Sequence, residues 1–402
     1  MDVQASPCNN TSDPLCYEEG SGTLAVIIIP TLLALSTVVV VTSILCNLFH
    51  RRATPERTSI PAHYTNRAGQ ECVSSSPVRD GMEMEIPGEC TLEGLEFWQT
   101  GHYGPICRGT MRRKDISSAV VVKTLRGGIN QPEAKEFVDW ILFHGTVCKH
   151  QNLVRMLYCQ TQRLPMYLVL EACSPGNLLH YLWTLRNSDL ESLDPLQHFS
   201  ERSVFLVAKQ VAAGLDYLLS EHRLVHGNVA AQNILIGPGF SVRVSGLGLA
   251  FEIRQHQTDK LANRRCQNDK LANRRRAEVP LKWQAPERMM KHPTTDRSDV
   301  WSFGIFLYEL ITLGSPPYPD LEPECVFLHL QKSYRMKKPD NCGGPLYDLM
   351  KYCWMWSFKD RPVFSAIIKL LGSYTYLAGT TDIYIPEDMD IIDYIKRAGV
   401  LP

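Results

Sequence analysis

The stretch PLKWQAPE, residues 280–287, decides the fold of this 402-residue chain. Three further motifs follow it in order: DVWSFG at 299–304, ELITLG at 309–314, and CW at 353–354 with RP at 361–362. Before the quoted stretch, the apolar residues form short β-rich runs, whereas long helical patterns fill the second half. A β-rich half followed by a helical half predicts an α+β protein with two lobes.

These four motifs resemble the late signature of the protein tyrosine kinases, whose PLKW-type segment binds the peptide beside the acceptor hydroxyl. The resemblance covers about 290 residues, and its motifs come in the order that the family requires. It implies a bilobal protein-kinase fold with a β-rich N-lobe and a helical C-lobe. We assign this kinase-like domain to residues 89–377.

The family's catalytic loop, H-R-D-L-A-A-R-N, is matched by HGNVAAQN at residues 226–233. His226 is kept, but Gly227 replaces the arginine and Asn228 replaces the aspartate that orients the acceptor hydroxyl. An amide has the shape of a carboxylate, but it cannot take a proton at neutral pH. Loss of such a general base costs on the order of 10²- to 10⁴-fold in rate, so Asn228 marks an impaired catalytic position.

The magnesium site is predicted to be incomplete. Gly246-Leu247-Gly248 replaces the family's D-F-G triplet, so no side-chain oxygen stands where the main metal ligand belongs. Asn233 matches the second metal ligand and is retained. Because magnesium is held by carboxylates and phosphate oxygens together, we expect ATP to bind weakly and magnesium to bind poorly.

The nucleotide side of the site matches the family in part. The Gly-rich loop G-x-G-x-x-G reads QTGHYG at residues 99–104, so Gln99 replaces the first glycine. VVVK at 120–123 matches the V-A-I-K strand, which makes Lys123 the candidate for gripping the α- and β-phosphates. The resemblance implies these nucleotide contacts: Gly101, Gly104, Ile106, Lys123, Glu171 and Asn233.

The usual partner of this lysine is a glutamate on the following helix. Counting back from KHQN at 149–152 places Trp140 in that position. Asp139 and Glu136 are the neighbouring carboxylates, but they point about 100° and 40° away on a helix with 3.6 residues per turn. The sequence therefore does not predict the ion pair of an active kinase.

The segment between Gly248 and Pro280 contains no tyrosine, so activation by a tyrosine phosphate there is excluded by composition. Its many Arg and Lys residues favour a solvated flexible loop over a docking site for acidic partners. DKLANRR occurs twice, at 259–265 and 269–275, and a loop that tolerates this duplication is predicted to be exposed.

Residues 24–46 carry no charged side chain, and about 20 apolar residues suffice for a helix to cross a bilayer. A buried core helix of this length should show a polar face, and a cleaved signal peptide needs a basic start. We therefore predict a transmembrane helix at 24–49. Because Arg51 and Arg52 follow it, the positive-inside rule places residues 1–23 outside and the rest of the chain in the cytosol. The expected location is the plasma membrane, although the sequence itself does not identify the membrane.

Two further segments flank the kinase-like domain. Residues 50–88 are predicted to be a juxtamembrane linker, because Pro, Ser, Arg and Glu are scattered there without an apolar period. Residues 378–402 form an acidic tail with Tyr384 and Tyr394, which a partner kinase would modify; the alternative is that both tyrosines pack against the domain. The chain shares its single predicted span and its GLG triplet with a receptor-like family of serine/threonine/tyrosine kinase-like proteins, which it resembles in both features.

Composition limits the partners. A formal net charge of zero argues against nucleic acid, because phosphate binding needs a basic excess. The outer segment is too short to fold around a ligand, which disfavours a ligand-binding receptor. The expected partners are the lipid bilayer, signalling proteins, other kinases, and further copies of this chain or of related chains in an oligomer.

Two functions follow from these patterns. The leading hypothesis is a membrane-anchored pseudokinase that acts as a scaffold or allosteric partner, because the catalytic, metal-binding and helix carboxylates are all replaced. The alternative is a weak or unconventional ATP-dependent protein tyrosine kinase. It rests on Lys123, Asn233 and the retained peptide-binding segment.

Overall fold

The structure is a computed structural model, and it describes residues 84–128, 131–186, 198–261 and 279–400. The predicted membrane helix at 24–49 and most of the predicted linker lie outside the described residues. All eight cysteines in the described ranges are free thiols.

An antiparallel sheet forms the N-lobe. Its strands are β1 (Cys90–Thr100), β2 (Pro105–Arg113), β3 (Ile116–Thr124), β4 (Met156–Gln160) and β5 (Tyr167–Glu171), in the order β1-β2-β3-β5-β4. Alternation along β3 gives the sheet two faces. Val120 and Val122 are buried in a small core with Val169 of β5, so Val121 and Lys123 point to the opposite face.

Helix α1 (Gln131–Val147) connects β3 to β4 and packs against the sheet. Phe137, Ile141 and Val147 recur at helical spacing and are fully buried, as one face of an amphipathic helix requires. Trp140 is also buried, between this face and the C-lobe.

The C-lobe begins with a second, three-stranded antiparallel sheet and two helices. They are β6 (Gly176–Asn177), α2 (Leu178–Thr184), α3 (Glu201–His222), β7 (Ile234–Gly237) and β8 (Ser241–Val244). Within the described ranges, α3 is the helix whose length and apolar character would let it cross a membrane. More than half of its apolar window is buried inside the lobe, so these properties reflect a core position.

The segment after GLG forms helix α4 (Gly248–Leu261), where the sequence predicted a solvated flexible loop. The ring of Phe251 lies 5.0 Å from the ring of Trp140 and 5.3 Å from that of Phe143, both on α1. The prediction is wrong for α4, because its apolar first turn gains more by packing on α1 than by exposure to water. Residues 262–278, which hold most of the duplication, lie outside the described residues.

The remaining C-lobe helices surround a central one. They are α5 (Pro286–Met289), α6 (Asp296–Ile311), α7 (Val326–Gln331), α8 (Gly344–Cys353) and α9 (Phe364–Tyr374). A capping box formed by Thr295 and Ser298 starts α6. Most of α6 is buried, including the carboxylates of Asp299 and Glu309, so this helix carries two acids into the core of the lobe.

The acidic tail folds onto the C-lobe. The N–H of Ile383 donates to the carbonyl oxygen of Phe199 at 2.9 Å, and Asp382 forms an antiparallel bridge with Ser200. A last helix, α10 (Ile391–Ala398), follows, and its Asp390 N-cap accepts a hydrogen bond from the second residue of the helix.

The two tail tyrosines have opposite environments. Tyr394 is 3% exposed and packs against Trp183 of the domain, as the packing alternative predicted. Tyr384 is 57% exposed. The structure therefore separates two residues that the sequence treated alike.

Candidate functional site

Two buried carboxylates of α6 hold the backbone of the catalytic loop. Asp299 accepts hydrogen bonds from the N–H groups of His226 (2.7 Å) and Gly227 (2.8 Å). Glu309 accepts one from the N–H of Ala231 at 2.9 Å. Burial raises the pKa of Asp299 to about 7 and that of Glu309 to about 8, and the N–H donors counteract this rise. The loop is thus fixed by groups that take no part in chemistry.

His226 joins the catalytic loop to the end of β8. Its Nε2 lies 2.7 Å from the carbonyl oxygen of Ser245, and its Nδ1 lies 3.2 Å from the N–H of Asn228. Since a carbonyl can only accept and an N–H can only donate, the ring carries its proton on Nε2. Burial lowers the pKa of His226, which favours this neutral form. His226 therefore acts as a structural link and has no free nitrogen for catalysis.

Asn228 occupies the position of the catalytic aspartate. Its Oδ1 is buried and has no hydrogen-bond donor within the described part of the chain. Its backbone carbonyl accepts a hydrogen bond from Nδ2 of Asn233 at 2.8 Å. An amide oxygen in this place can accept a hydrogen bond from a substrate hydroxyl, but it cannot remove the proton.

The side chain of Asn233 lies directly against Gly246, the residue that replaces the metal-binding aspartate of the family. Gly246 has a φ of +75°, and a Cβ added to it would lie 2.7 Å from both Cγ and Oδ1 of Asn233. Real Cβ atoms do not approach other heavy atoms so closely, so a carboxylate here would have to displace the amide of Asn233. The neutral amides of Asn228 and Asn233 do not fit a magnesium ion, which is held in proteins chiefly by carboxylate and phosphate oxygens.

The glycine that replaces the loop arginine is covered by α4. Gly227 has a φ of +77°, and an added Cβ would lie 2.5 Å from Cδ2 of Leu249. Leu249 thus takes space that a side chain at 227 would need. Sequence reasoning missed Leu249, although the paired change to glycine in the loop and an apolar residue after GLG was a usable signal.

Lys123 meets an aromatic ring where an active kinase has a carboxylate. Its Nζ lies 5.9 Å from the ring centroid of Trp140, within the range of a cation–π contact. No carboxylate in the described ranges lies within ion-pair distance of Lys123, and burial lowers the pKa of its ammonium group. The nearby Lys123 charge and burial together lower the pKa of His144 to about 3, which keeps that imidazole neutral.

Glu136, the alternative partner for the lysine, is engaged by the Gly-rich loop. The hydroxyl of Tyr103 donates to Oε1 of Glu136 at 3.2 Å, and the Tyr103 ring lies 5.3 Å from the ring of Phe137 and 6.2 Å from that of Trp140. Burial and the Glu136 carboxylate raise the pKa of Tyr103, so its phenol stays protonated. Sequence reasoning missed Tyr103, because a loop tyrosine gives no sign of where it will pack.

The two retained glycines shape this loop closely. The N–H of Gly101 donates to the carbonyl oxygen of Gly104 at 2.8 Å, which closes a tight turn. A Cβ at Gly104 would lie 2.6 Å from the backbone of both Thr124 and Arg126, so the loop touches the end of β3. The two glycines therefore allow the loop to pack closely against the end of β3. They would also allow its backbone to approach a phosphate group.

Ile106 and Glu171 were the other predicted nucleotide contacts. Ile106 pairs with Lys123 across β2 and β3, next to the turn that Gly101 forms. The Glu171 carboxylate accepts hydrogen bonds from the N–H of Arg155 (2.8 Å) and from Nε of Arg243 (2.9 Å). These bonds occupy the Glu171 carboxylate, and the backbone N–H of Glu171 donates to the carbonyl oxygen of Arg155 at 3.0 Å.

The segment that the resemblance assigns to peptide binding is anchored in the C-lobe. Both Nη atoms of Arg361 donate to the Glu287 carboxylate, at 2.7 and 2.8 Å, in a buried bidentate ion pair. The Ser302 hydroxyl donates to the carbonyl oxygen of Trp283 at 2.7 Å, which fixes the PLKW segment to α6. The contacts that position this segment are therefore present, whereas Asn228 and Gly246 replace the two aspartates that the family uses for phosphoryl transfer.

Comparison with known proteins agrees with this geometry. The family described as "Protein tyrosine and serine/threonine kinase" matches residues 94–371, which is more than half of the chain. "Tyrosine-protein kinase STYK1" of Mus musculus is 38% identical over 322 residues, covering 79% of this chain and 72% of that protein. The protein of the same name from Homo sapiens is 39% identical over 283 residues, covering 70% and 63% respectively.

More distant relatives include receptors. "Fibroblast growth factor receptor 1" of Xenopus laevis is 32% identical over 283 residues, covering 68% of this chain but only 33% of the receptor. The similarity to this longer protein thus concerns the kinase domain.

Proposed function

This chain belongs to the protein tyrosine and serine/threonine kinase family, and on that premise we propose that it is a membrane-anchored pseudokinase. It would signal by assembling partner proteins, as a scaffold or allosteric partner, and not by transferring phosphate. The coarser assignment, a tyrosine-kinase-like signalling protein, follows from the family itself.

One observation carries the proposal. The Asn233 side chain lies 2.7 Å from the Cβ that any residue other than glycine would carry at position 246. A carboxylate could therefore be restored at this position only if Asn233 moved. Phosphoryl transfer depends on metal ions to neutralise charge on the phosphates, so this cleft lacks a central part of the reaction.

The nucleotide side supports weak binding of ATP. Lys123 keeps its place on β3, but it contacts Trp140 in place of a carboxylate. Tyr103 ties the Gly-rich loop to α1 through Glu136. Nucleotide would have to compete with these contacts, and any binding would owe little to magnesium.

The membrane anchor is part of the proposal. Its support is the uncharged stretch at 24–46 with Arg51 and Arg52 directly behind it. This arrangement would place the kinase-like domain on the cytosolic face of the plasma membrane, beside the kinases and signalling proteins that it would assemble.

A weak protein tyrosine kinase is the second candidate. It is favoured by the intact peptide side, where Arg361 and Glu287 form their buried ion pair and Asp299 holds the catalytic loop. These contacts also stabilise the lobe, so a scaffold would retain them as well.

Transfer of the γ-phosphate of ATP distinguishes the two candidates. The purified full-length chain, in detergent, is incubated with labelled ATP, magnesium and a tyrosine-containing peptide. Lys123→Met serves as the control, because it removes the phosphate-gripping charge and keeps an apolar stem of similar length. We expect equal background incorporation from both. Incorporation by the parent that Lys123→Met abolishes would establish the weak kinase and overturn the pseudokinase.

A further inference from the structure

The acidic tail offers its two tyrosines to solvent very unequally. Tyr384 is 57% exposed, and Tyr394 is 3% exposed. Both follow acidic residues: Asp382 precedes the first and Asp393 precedes the second. A kinase that reads sequence alone would treat them alike, so the fold decides which one can be modified.

Tyr394 is part of the C-lobe core. Its ring lies 4.9 Å from the ring of Trp183 in an edge-to-face arrangement, and its helix α10 buries Ala398 completely. The pKa of Tyr394 is raised by burial and by the charge of Glu309. A phosphate on Tyr394 would place a double negative charge in an apolar site near the Glu309 carboxylate. The packed tail therefore excludes this modification.

Tyr384 lies on an anchored stretch of the same tail, outside any helix or strand. The preceding residue, Ile383, is buried and hydrogen-bonded to Phe199, and Nδ2 of Asn341 donates to the carbonyl oxygen of Tyr384 at 3.2 Å. Farther on, Arg186 donates to the carbonyl oxygen of Glu387 at 3.2 Å. These contacts hold the backbone against the lobe while the phenol faces solvent.

Within the described ranges, the other two exposed tyrosines lack this combination. Tyr352 lies within helix α8, and Tyr376 lies in the turn that follows α9. Tyr384 combines exposure, a position outside helices and strands, and flanking acids, with Asp382 before it and Glu387 after it.

We propose that Tyr384, and not Tyr394, is a phosphorylation site, and that its phosphate recruits an arginine-lined phosphotyrosine-binding module. The site would give the proposed scaffold its means of assembling partners, and to that extent it rests on the proposed function. The module would read the phosphate together with the exposed side chains of Pro386 and Glu387.

The phosphoryl donor is ATP bound to a separate, active tyrosine kinase. The phenol oxygen of Tyr384 forms a bond to the γ-phosphorus, and the bond from that phosphorus to the β–γ bridging oxygen breaks. The phenol proton passes to a carboxylate base of the donor kinase, and ADP leaves. The product carries about −1.5 to −2 charge and three acceptor oxygens, which suit bidentate recognition by arginine.

The test compares the folded tail with the same sequence as a free peptide. The purified full-length chain and a synthetic peptide of residues 378–402 are each incubated with an active tyrosine kinase, ATP and magnesium. Mass spectrometry then measures occupancy at each tyrosine. In the peptide both tyrosines should be modified within a factor of about three, whereas in the chain Tyr384 should exceed Tyr394 by at least about tenfold, because burial protects only Tyr394.

Each other outcome overturns the proposal. Equal modification of both tyrosines in the chain would show that the tail is open, and absence of phosphate on Tyr384 in either sample would show that it is no substrate. Recruitment is tested by capture of the phosphorylated chain on an isolated phosphotyrosine-binding module. Tyr384→Phe should abolish capture, while the control Tyr376→Phe, at an 86% exposed residue, should leave it unchanged. Capture that survives Tyr384→Phe would refute the docking role.

A reaction without added kinase separates the proposal that Tyr384 is modified from the proposal that this chain is a pseudokinase. Phosphate that appears on Tyr384 with ATP and magnesium alone would contradict the pseudokinase assignment, yet it would leave Tyr384 as the modified residue.

Discussion

Restoring the metal-binding aspartate by Gly246→Asp is expected to destabilise the protein instead of repairing it. Gly246 has a φ of +75°, a left-handed backbone that costs a residue with a Cβ roughly 1–2 kcal/mol. The new Cβ would lie 2.7 Å from the Asn233 amide. Overpacking of this kind costs about 1–3 kcal/mol.

Together these costs amount to roughly 2–5 kcal/mol of unfolding free energy. At about 2–4 °C for each kcal/mol in a domain of this size or slightly smaller, the melting temperature should fall by about 4–20 °C. Thermal unfolding of the purified full-length chain, followed by intrinsic tryptophan fluorescence, measures the shift.

Gly239→Asp is the matched control. Gly239 has a φ of +62°, but an added Cβ there has no atom within 4 Å, so this variant bears the backbone strain without the overlap. Its melting temperature should fall by only about 2–8 °C, and by less than that of Gly246→Asp, because the overlap is missing. Combining Gly246→Asp with Asn233→Ala should recover part of the difference, because the obstructing amide is removed. If Gly246→Asp is as stable as Gly239→Asp, the pocket is open and the reasoning fails.

Two further substitutions test other parts of the cleft. Asn228→Asp alone should restore no peptide phosphorylation, because position 246 still lacks a metal ligand and groups that act on one transition state are not additive; activity in this single variant, absent from the parent, would contradict the account. Trp140→Ala should cost about 3–5 kcal/mol of unfolding free energy, because it removes the ring that joins α1 to α4. Trp356→Ala, at a 43% exposed residue, should cost much less, and equal losses in denaturant unfolding would argue against the interlobe packing.

The lobes and the replaced positions could be predicted from the sequence because they depend on ordered motifs. PLKWQAPE and the late motifs predicted the helical lobe, and the structure pairs their Glu287 with Arg361 in its core. Counting along the chain placed Trp140 opposite Lys123, and the structure has the two in contact. Local sequence sufficed here, since each position is fixed by register within one strand or one helix.

The contacts around the Gly-rich loop and around Gly227 were not predictable in the same way. Tyr103 reaches Glu136, and Leu249 fills the space above Gly227, through contacts between segments far apart in sequence. Charge in the segment after GLG suggested exposure, but a short apolar first turn, ending in Phe251, determined the fold of α4. A prediction from charge describes the average composition of the segment. Burial depends instead on the few side chains, such as Phe251, that pack against another element.

Thermal shift with ATP, with and without magnesium, tests the central claim most directly. A nucleotide present at 100 times its dissociation constant stabilises a protein by about 2.7 kcal/mol, which would raise the melting temperature of this chain by about 5–10 °C. The account predicts a shift of at most about 1–2 °C with 1 mM ATP, unchanged by 10 mM magnesium, as for a dissociation constant of about 1 mM. A large stabilisation that appears only when magnesium is added would contradict it.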